Sequence, residues 1–394
     1  MPSQRSWPSR SQRSPDGERT PLTCDGEDQM THARPQIRAE VAALPAYKPG
    51  KKPATSGRPV KLSSNENPFP PLDGVLAEAT ACLEGLNRYP DIAAVELRTA
   101  LAESVGLGAG NVALGAGSVA VLYHLLSAVC EPGSEVVYAW RSFEAYPIAA
   151  GIAGARSVQV PLRPDATHDL DAMLAAVNEK TRVVIVCSPN NPTGTVADRR
   201  EFELFLAALP RDVVCVLDEA YVEFVRGSDI PEPVHLLAQH ENLVVLRTFS
   251  KAYGLAGLRV GYSLASEELT EAMAKTAIPF GVTQLAQTAA LVSLGRTDDL
   301  RDRVDAIVEE RDRVAAALRG LGLAVPDAQG NFVWLALGDA ASDFAGTCEL
   351  QGVAVRPFDG EGVRVTVGTV DENDRLIALA EQWAGAPVGA TARS

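Results

Sequence analysis

Three apolar runs in this chain each end in side chains that can do chemistry. VVIVC closes at Cys187 and leads into Ser188-Pro189-Asn190-Asn191-Pro192-Thr193-Gly194. VVCVL closes at Leu217 and leads into Asp218-Glu219-Ala220-Tyr221. LVVLR closes at Arg247 and leads into Thr248-Phe249-Ser250-Lys251, then a glycine-containing turn and Arg259. Open α/β sheets bind ligands at the carboxyl ends of their strands. Taken singly, Asp218 reads as a helix N-cap, Asn191 as a turn former and Lys251 as a solvated amine. Taken together they suit one cofactor. Pyridoxal phosphate needs a lysine for a Schiff base and a carboxylate for its pyridine nitrogen. It also needs donors for its phenolic oxygen, and donors with a cation for its phosphate. Among the seven lysines, only Lys251 follows an apolar strand and precedes a glycine-rich turn.

The segment Gly115-Ala116-Gly117-Ser118-Val119-Ala120 matches G-x-G-x-x-A, the dinucleotide fingerprint. On that reading the protein is a nucleotide-dependent oxidoreductase using residues 115–120. A ribose would then need a carboxylate at the end of the next strand, yet EVVYAW ends at Trp140-Arg141. A single phosphate suits the loop equally well, through backbone amides and a helix N-terminus. The preferred expectation is a phosphate site at Gly117, Ser118 and Val119, without a dinucleotide.

These residues need a scaffold, and the pattern supplies one. Strands are expected at 112–114, 135–140, 157–162, 182–187, 213–217, 243–247 and 259–264, with helical patterns such as 119–130 and 199–209 between them. That alternation implies an α/β fold, with a large, mostly parallel seven-stranded sheet covered by helices. After residue 283 the pattern changes to a long charged helix over 298–321. Short strands follow at 332–337, 353–357 and 363–367, with a last helix over 373–383. A smaller α+β unit is expected there. The division is a disordered tail over 1–35, an N-terminal arm and part of the small domain over 36–85, a large domain over 86–283 and a small one over 284–394.

Composition narrows the function. With 46% hydrophobic and 22% charged residues, collagen, coiled coil and wholly disordered chains are excluded. A formal charge of −14 disfavours nucleic acid as a partner. Six scattered cysteines and five scattered histidines show no metal spacing and point to reduced thiols in a cytoplasm. No apolar run is long enough to span a membrane. The arginine-containing start carries acidic residues and prolines, which argues against a targeting helix.

The motifs KLSSNENPFPP (61–71), NRYPD (87–91), GAGSVAVL (115–122), SPNNPTGT (188–195), DEAYVEF (218–224), RTFSKAYGLAGLRVGY (247–262), QGNFVWL (329–335) and VRVTVGT (363–369) form an ordered set. As a set they resemble the histidinol-phosphate and aromatic aminotransferases of the fold-type I pyridoxal-phosphate enzymes. The segment Trp140-Arg141-Ser142-Phe143 is similar to the actinobacterial aromatic or phenylalanine branch. The resemblance implies that Lys251 carries the Schiff base and shuttles the proton, and that Asp218 faces the ring nitrogen. It implies that Asn191 and Tyr221 bond the phenolic oxygen, and that Phe143 stacks on the ring. Ser118, Thr248, Ser250 and Arg259 would hold the phosphate, with Tyr89 reaching it from a partner subunit of a homodimer. Arg364 would bind the substrate's acidic group.

The implied reaction is transfer of an amino group between aromatic amino acids and 2-oxoglutarate, with histidinol-phosphate transamination as the alternative. Arg364 satisfies a carboxylate or a phosphate alike. Arg356 is a second cation for either anion, or a salt-bridge partner of Asp359 or Glu361. Phe143, Trp140, Tyr146 and Phe280 are expected to line a slot for an aromatic ring. The Asn191–Pro192 peptide is a candidate for the cis form.

Overall fold

The computed structural model describes residues 36–47, 50, 59–227 and 229–385. The expected tail, 1–35, lies outside them. Residues from Ala39 onward form one compact unit.

Seven strands make the large sheet: β2 (Val112–Gly115), β3 (Glu135–Trp140), β4 (Arg156–Pro161), β5 (Thr181–Cys187), β6 (Val214–Asp218), β7 (Leu243–Thr248) and β8 (Gly261–Leu264). They follow β1 (Val60–Lys61), which belongs to a smaller sheet. Their order is β2-β8-β7-β6-β5-β3-β4, and only β8 runs antiparallel to its neighbours. Parallel neighbours need a crossover, usually helical. Residues 249–260, between β7 and β8, contain no helix, so β8 returns in the opposite sense. The central runs of β5, β6 and β7 are buried on both faces, which accounts for their unbroken Val, Ile and Leu content. Helix Ser118–Val129 buries Val121, Leu122, Leu125 and Leu126 along one stripe against this sheet.

The second core is built from β9 (Phe332–Leu335), β10 (Val353–Ala354), β11 (Arg356–Phe358) and β12 (Gly362–Thr366). Strands β11, β12 and β9 form an antiparallel sheet, while β10 pairs with β1 from the opposite end of the chain. The single strand expected over 353–357 is therefore two, because this run leaves one sheet at Ala354 and enters another at Arg356. The last helix starts at Val370, before the expected Asn373. A capping box explains the earlier start: Thr369 Oγ1 accepts from Glu372 N at 3.4 Å, and the Glu372 carboxylate accepts from Thr369 N at 2.8 Å.

The change of core does not fall at residue 283. Ala286, Ala289 and Ala290 of helix Gln284–Leu294 pack into the large-sheet core. The following helix, Thr297–Gly320, bridges the two cores. It buries Val304, Ile307 and Val308 against Tyr221 and Phe332, then Val314, Ala315 and Leu318 in the small-sheet core. Arg311 is 1% exposed at the middle of this helix and donates to Phe224 O at 2.9 Å and to Asp312 Oδ1 at 2.8 Å.

Gly261 lets β8 lie against the start of helix Ser118–Val129. A Cβ there would press on Ser118 N and sit 2.7 Å from the Gly117 carbonyl carbon, both immobile backbone atoms. Gly261→Ala should therefore lower unfolding stability by about 3 kcal/mol. Gly257→Ala, where a Cβ meets nothing within 4 Å, should change it by less than about 0.5 kcal/mol. Urea unfolding of the two variants beside the parent checks the contrast.

Candidate active site

The carboxyl edge of the large sheet opens into a cavity of about 420 Å³. Asn191, Asp218, Tyr221, Thr248, Ser250, Lys251 and Arg259 reach it from the ends of β5, β6 and β7. Gly117, Ser118 and Val119 reach it from the helix that follows β2, and Phe143 from the loop after β3. Arg356 and Arg364 enter from the small antiparallel sheet. Tyr89 does not line its own chain's cavity; it is 80% exposed and stacks on Phe280 with ring centroids 4.4 Å apart.

One corner is built for an anion. Gly117 has φ 89°, and a Cβ there would lie 2.6 Å from Arg259 Nη2, so only glycine admits the guanidinium. Arg259 donates to Ala116 O at 3.2 Å, Ala256 O at 3.0 Å and Ser250 Oγ at 3.4 Å. Thr248 Oγ1 donates to Ser250 Oγ at 3.1 Å. Two hydroxyls and a guanidinium thus meet at the N-terminus of a 12-residue helix, whose dipole and amides favour negative charge.

The opposite side holds buried titratable groups. Tyr146 Oη donates to Asp218 Oδ2 at 2.7 Å, and Ala220 N donates to Oδ1 at 3.2 Å. Burial raises the Asp218 pKa; the bonds from Tyr146 and Ala220 and the charge of Lys251 oppose that rise. Lys251 Nζ donates to Asn65 O at 3.1 Å. Burial, followed by the positive charge of Arg364, pushes its amine down to about 7. Tyr221 Oη accepts from Asn65 Nδ2 at 3.0 Å, which leaves its own proton to donate. Asn191 Oδ1 accepts from Arg364 Nη1 at 2.6 Å, which leaves the Asn191 amide nitrogen as a donor. Arg364 Nη2 donates to Ser63 O at 2.9 Å, and its Nε is buried without a partner among the described residues. The Asn191–Pro192 peptide is cis, as the turn suggested, and so is Ser188–Pro189.

At the mouth the structure corrects two expectations. Arg356 pairs with Glu144 at 2.8 Å, not with Asp359 or Glu361. Glu361 instead takes Arg141, with Nε to Oε2 at 2.8 Å, and the Arg141 guanidinium sits over the Trp140 and Phe358 rings at 4.2 and 5.3 Å. Of the four aromatics expected in the slot, only Phe143 lines the cavity. Tyr146 is fully buried behind it on Asp218, Trp140 packs on Tyr138, and Phe280 lies in a separate groove with Tyr89 beside it. Tyr47, Tyr123, Ile148 and Phe358 supply the apolar wall instead.

Several working residues were not singled out from sequence. Asn65 bonds Tyr221 and Thr366 through its side chain and Lys251 through its carbonyl, at φ 51°. Asn331 Nδ2 donates to the same carbonyl at 3.3 Å. Both stand in motifs quoted above, and a polar residue bordering an apolar strand was the available signal. Nothing local marks Glu144, nor the bond from Tyr146, expected only as a slot aromatic, to Asp218, since both partners come from distant parts of the chain.

The chain's relatives bear on this geometry. The Aminotransferase class I and II family profile matches residues 58–379. An aromatic amino acid aminotransferase of Streptomyces coelicolor is 54% identical over 356 residues, covering 90% of this chain and 99% of the relative. One from Thermobifida fusca is 51% identical over 350 residues, covering 89% and 97%. Among solved structures, a histidinol-phosphate aminotransferase from Sinorhizobium meliloti in complex with pyridoxal-5'-phosphate superposes with a TM-score of 0.81 at 29% identity, covering 89% and 98%.

The depressed Lys251 pKa has a measurable sign. In the unfolded chain the amine keeps its proton up to about 10.5, while in the folded chain it releases it near 7. Between those values the unfolded state holds more protons, so stability contributed by this site rises with pH. Lys251→Met should remove up to roughly 1.4 kcal/mol per pH unit of slope across that window. Urea unfolding of cofactor-free protein at several pH values, parent beside variant, reads the difference. Parallel slopes would contradict the burial argument.

Proposed function

The chain belongs to the class I and II aminotransferases, pyridoxal-phosphate-dependent transaminases of the fold-type I architecture, and from that premise we propose its substrates and the work of each residue. The proposed reaction moves the amino group between aromatic amino acids (phenylalanine, tyrosine, tryptophan) and 2-oxoglutarate. The observation that carries it is the buried guanidinium of Arg364 beside an apolar wall of Tyr47, Tyr123, Phe143 and Phe358. The names of the actinobacterial relatives support the same choice. The dinucleotide reading of residues 115–120 falls with family membership.

Pyridoxal phosphate fits the donor set. Gly117, Ser118, Val119, Thr248, Ser250 and Arg259 would hold its phosphate, in a corner where any Cβ at residue 117 would displace the guanidinium. Asp218, buried and bonded by a phenol and a backbone amide, both neutral, suits a protonated ring nitrogen. Tyr221 and Asn191 would donate to the phenolic oxygen, and Phe143 would cover the ring. When bound, the cofactor supplies an electron-withdrawing ring that takes up the charge left as the substrate's α-proton departs.

The chain's residues do the rest. Arg364, fixed by Asn191 and Ser63, would hold the substrate carboxylate through its remaining donor capacity. Lys251 would accept the α-proton on Nζ and return it to the carbon on the cofactor side. An amine titrating near 7 exists in both protonation states at neutral pH, as a base that becomes an acid must. Tyr146 would keep Asp218 oriented and ionised. The aromatic wall and the ion pair Arg356–Glu144 line the cavity and would limit the entry of water.

The cytoplasm is the proposed location, supported by five unpaired cysteines among the described residues. No helix among those residues is long and apolar enough to cross a membrane. A homodimer with shared sites is the proposed assembly. Leu86, Tyr89, Ile92, Val95, Ile278 and Phe280 are exposed on this chain, and a second copy would cover them. Tyr89 would then serve the phosphate in the neighbouring cavity. Sedimentation at assay concentration should show a dimer; a fully active monomer would refute the shared site.

Substrate choice is tested by comparing kcat/KM for phenylalanine, tyrosine and histidinol phosphate with 2-oxoglutarate as acceptor. The aromatic donors should win. If histidinol phosphate wins by more than about a hundredfold, roughly 2.7 kcal/mol of transition-state binding, the aromatic assignment gives way to histidinol-phosphate transamination.

A further inference from the structure

A transaminase using an aromatic donor and a dicarboxylic acceptor meets two unlike substrates in one cavity. One brings a single carboxylate and an apolar ring; the other brings two carboxylates. The wall that must serve both holds Arg364 and Arg356, directly opposite one another on β12 and β11. Like charges placed across neighbouring strands repel; burial is the main cause lowering the Arg364 pKa, and the charge of Arg356 adds to it while that of Glu144 opposes it.

Glu144 reaches this pair, its Oε2 lying 2.8 Å from Arg356 Nη2. It comes from the other side of the cavity, one residue past the ring-covering Phe143, and both Glu144 and Arg356 line the cavity itself. Arg364, Arg356 and Glu144 together carry two positive charges and one negative. The surplus matches one substrate carboxylate. A dicarboxylate would bring two, leaving the wall one negative charge in excess unless Glu144 leaves. The side chains differ in how readily they can move. That of Arg356 is 14% exposed, with its guanidinium over the Phe358 ring at 5.6 Å, while that of Glu144 is 34% exposed.

We propose that Glu144 is a specificity-determining residue, an internal carboxylate that occupies Arg356 when the substrate's side chain is apolar and is displaced by the distal carboxylate of a dicarboxylic substrate. The aromatic ring then enters beside a neutral ion pair and strands no buried guanidinium. The dicarboxylate binds by exchange: one carboxylate leaves Arg356 for water and another takes its place. Glu144 thereby weakens the acceptor's hold by the strength of the pair it must give up, and narrows the gap in affinity between the two substrates. This inference rests on the proposed donor and acceptor classes.

The experiment titrates the cofactor-loaded enzyme calorimetrically with two unreactive ligands, glutarate and 3-phenylpropanoate. In Glu144→Gln the ratio of their dissociation constants should shift by about tenfold toward glutarate, the size of one charge-assisted bond no longer broken on binding. Glu144→Asp should bring the ratio back toward the parent value. Arg356→Gln should abolish the shift in the double variant. An unchanged ratio in Glu144→Gln, or a shift that survives Arg356→Gln, would overturn the proposal. Turnover of phenylalanine with 2-oxoglutarate by the parent enzyme is measured alongside. Its absence would sink the donor and acceptor assignment, while the titration would still report on Glu144.

Discussion

Burial of Asp218, Lys251 and Arg364 around one cavity is the constraint on which the rest of the structure depends. An unpaired charge out of water is costly, and each of these groups is desolvated. The fold answers each differently. Asp218 receives a phenol and a backbone amide. Lys251 gives up its proton near neutrality, and its amine rests on a carbonyl. Arg364 is bound by an amide oxygen and a carbonyl, both neutral, so its charge is oriented without being cancelled. A guanidinium held by neutral groups at Nη1 and Nη2, with Nε unpartnered among the described residues, is an arrangement that a substrate anion would complete.

Those partners come from far apart in the chain, which ties the small sheet to the large one through the site. Asn65 follows β1, yet it bonds Tyr221 at the end of β6 and Thr366 at the end of β12. Asn191, after β5, takes Arg364 from β12. Helix Thr297–Gly320 ties the sheets together, since one continuous rod packs Leu300 against the large-sheet core and Val314, Ala315 and Leu318 in the small-sheet core. Precision at the cavity is therefore a property of long-range packing. A loosened helix there would move Arg364 relative to Asp218 without touching either residue.

How much of this was legible in sequence follows from the range of the interactions. All seven large-sheet strands are found within two residues of expectation, because buried parallel strands are encoded by contiguous apolar runs. Lys251, Asp218 and Asn191 were legible because each follows such a run, and Arg259 because it closes the glycine-containing turn after Lys251. The aromatic wall was not. Trp140, Tyr146 and Phe280 are close to the site in sequence or plausible by type, but which way a loop side chain turns depends on the opposing surface. Arg356 shows the same limit: acidic residues three and five positions on were the local choice, and the partner is Glu144, on the far side of the cavity. The split of residues 353–358 between two sheets was hidden for the same reason, since β1, the partner of β10, lies near the opposite end of the chain.

The overall charge sharpens what the local groups must do. At −14 the chain repels anions at long range, yet every substrate in the proposed reaction is a carboxylate, and the cofactor carries a phosphate. In physiological salt the field of distant acidic residues decays over about 8 Å, whereas contacts inside a desolvated cavity are screened far less. Attraction therefore has to be generated within the cavity by Arg259, Arg356, Arg364 and the helix N-terminus at Ser118. Concentrating the cations there would also separate their tasks: on the proposed reading the helix end and Arg259 hold the cofactor's phosphate, and Arg364 and Arg356 handle the anions that come and go. The acidic exterior and the basic interior are then parts of one arrangement, in which anions bind where the chemistry occurs and weakly anywhere else.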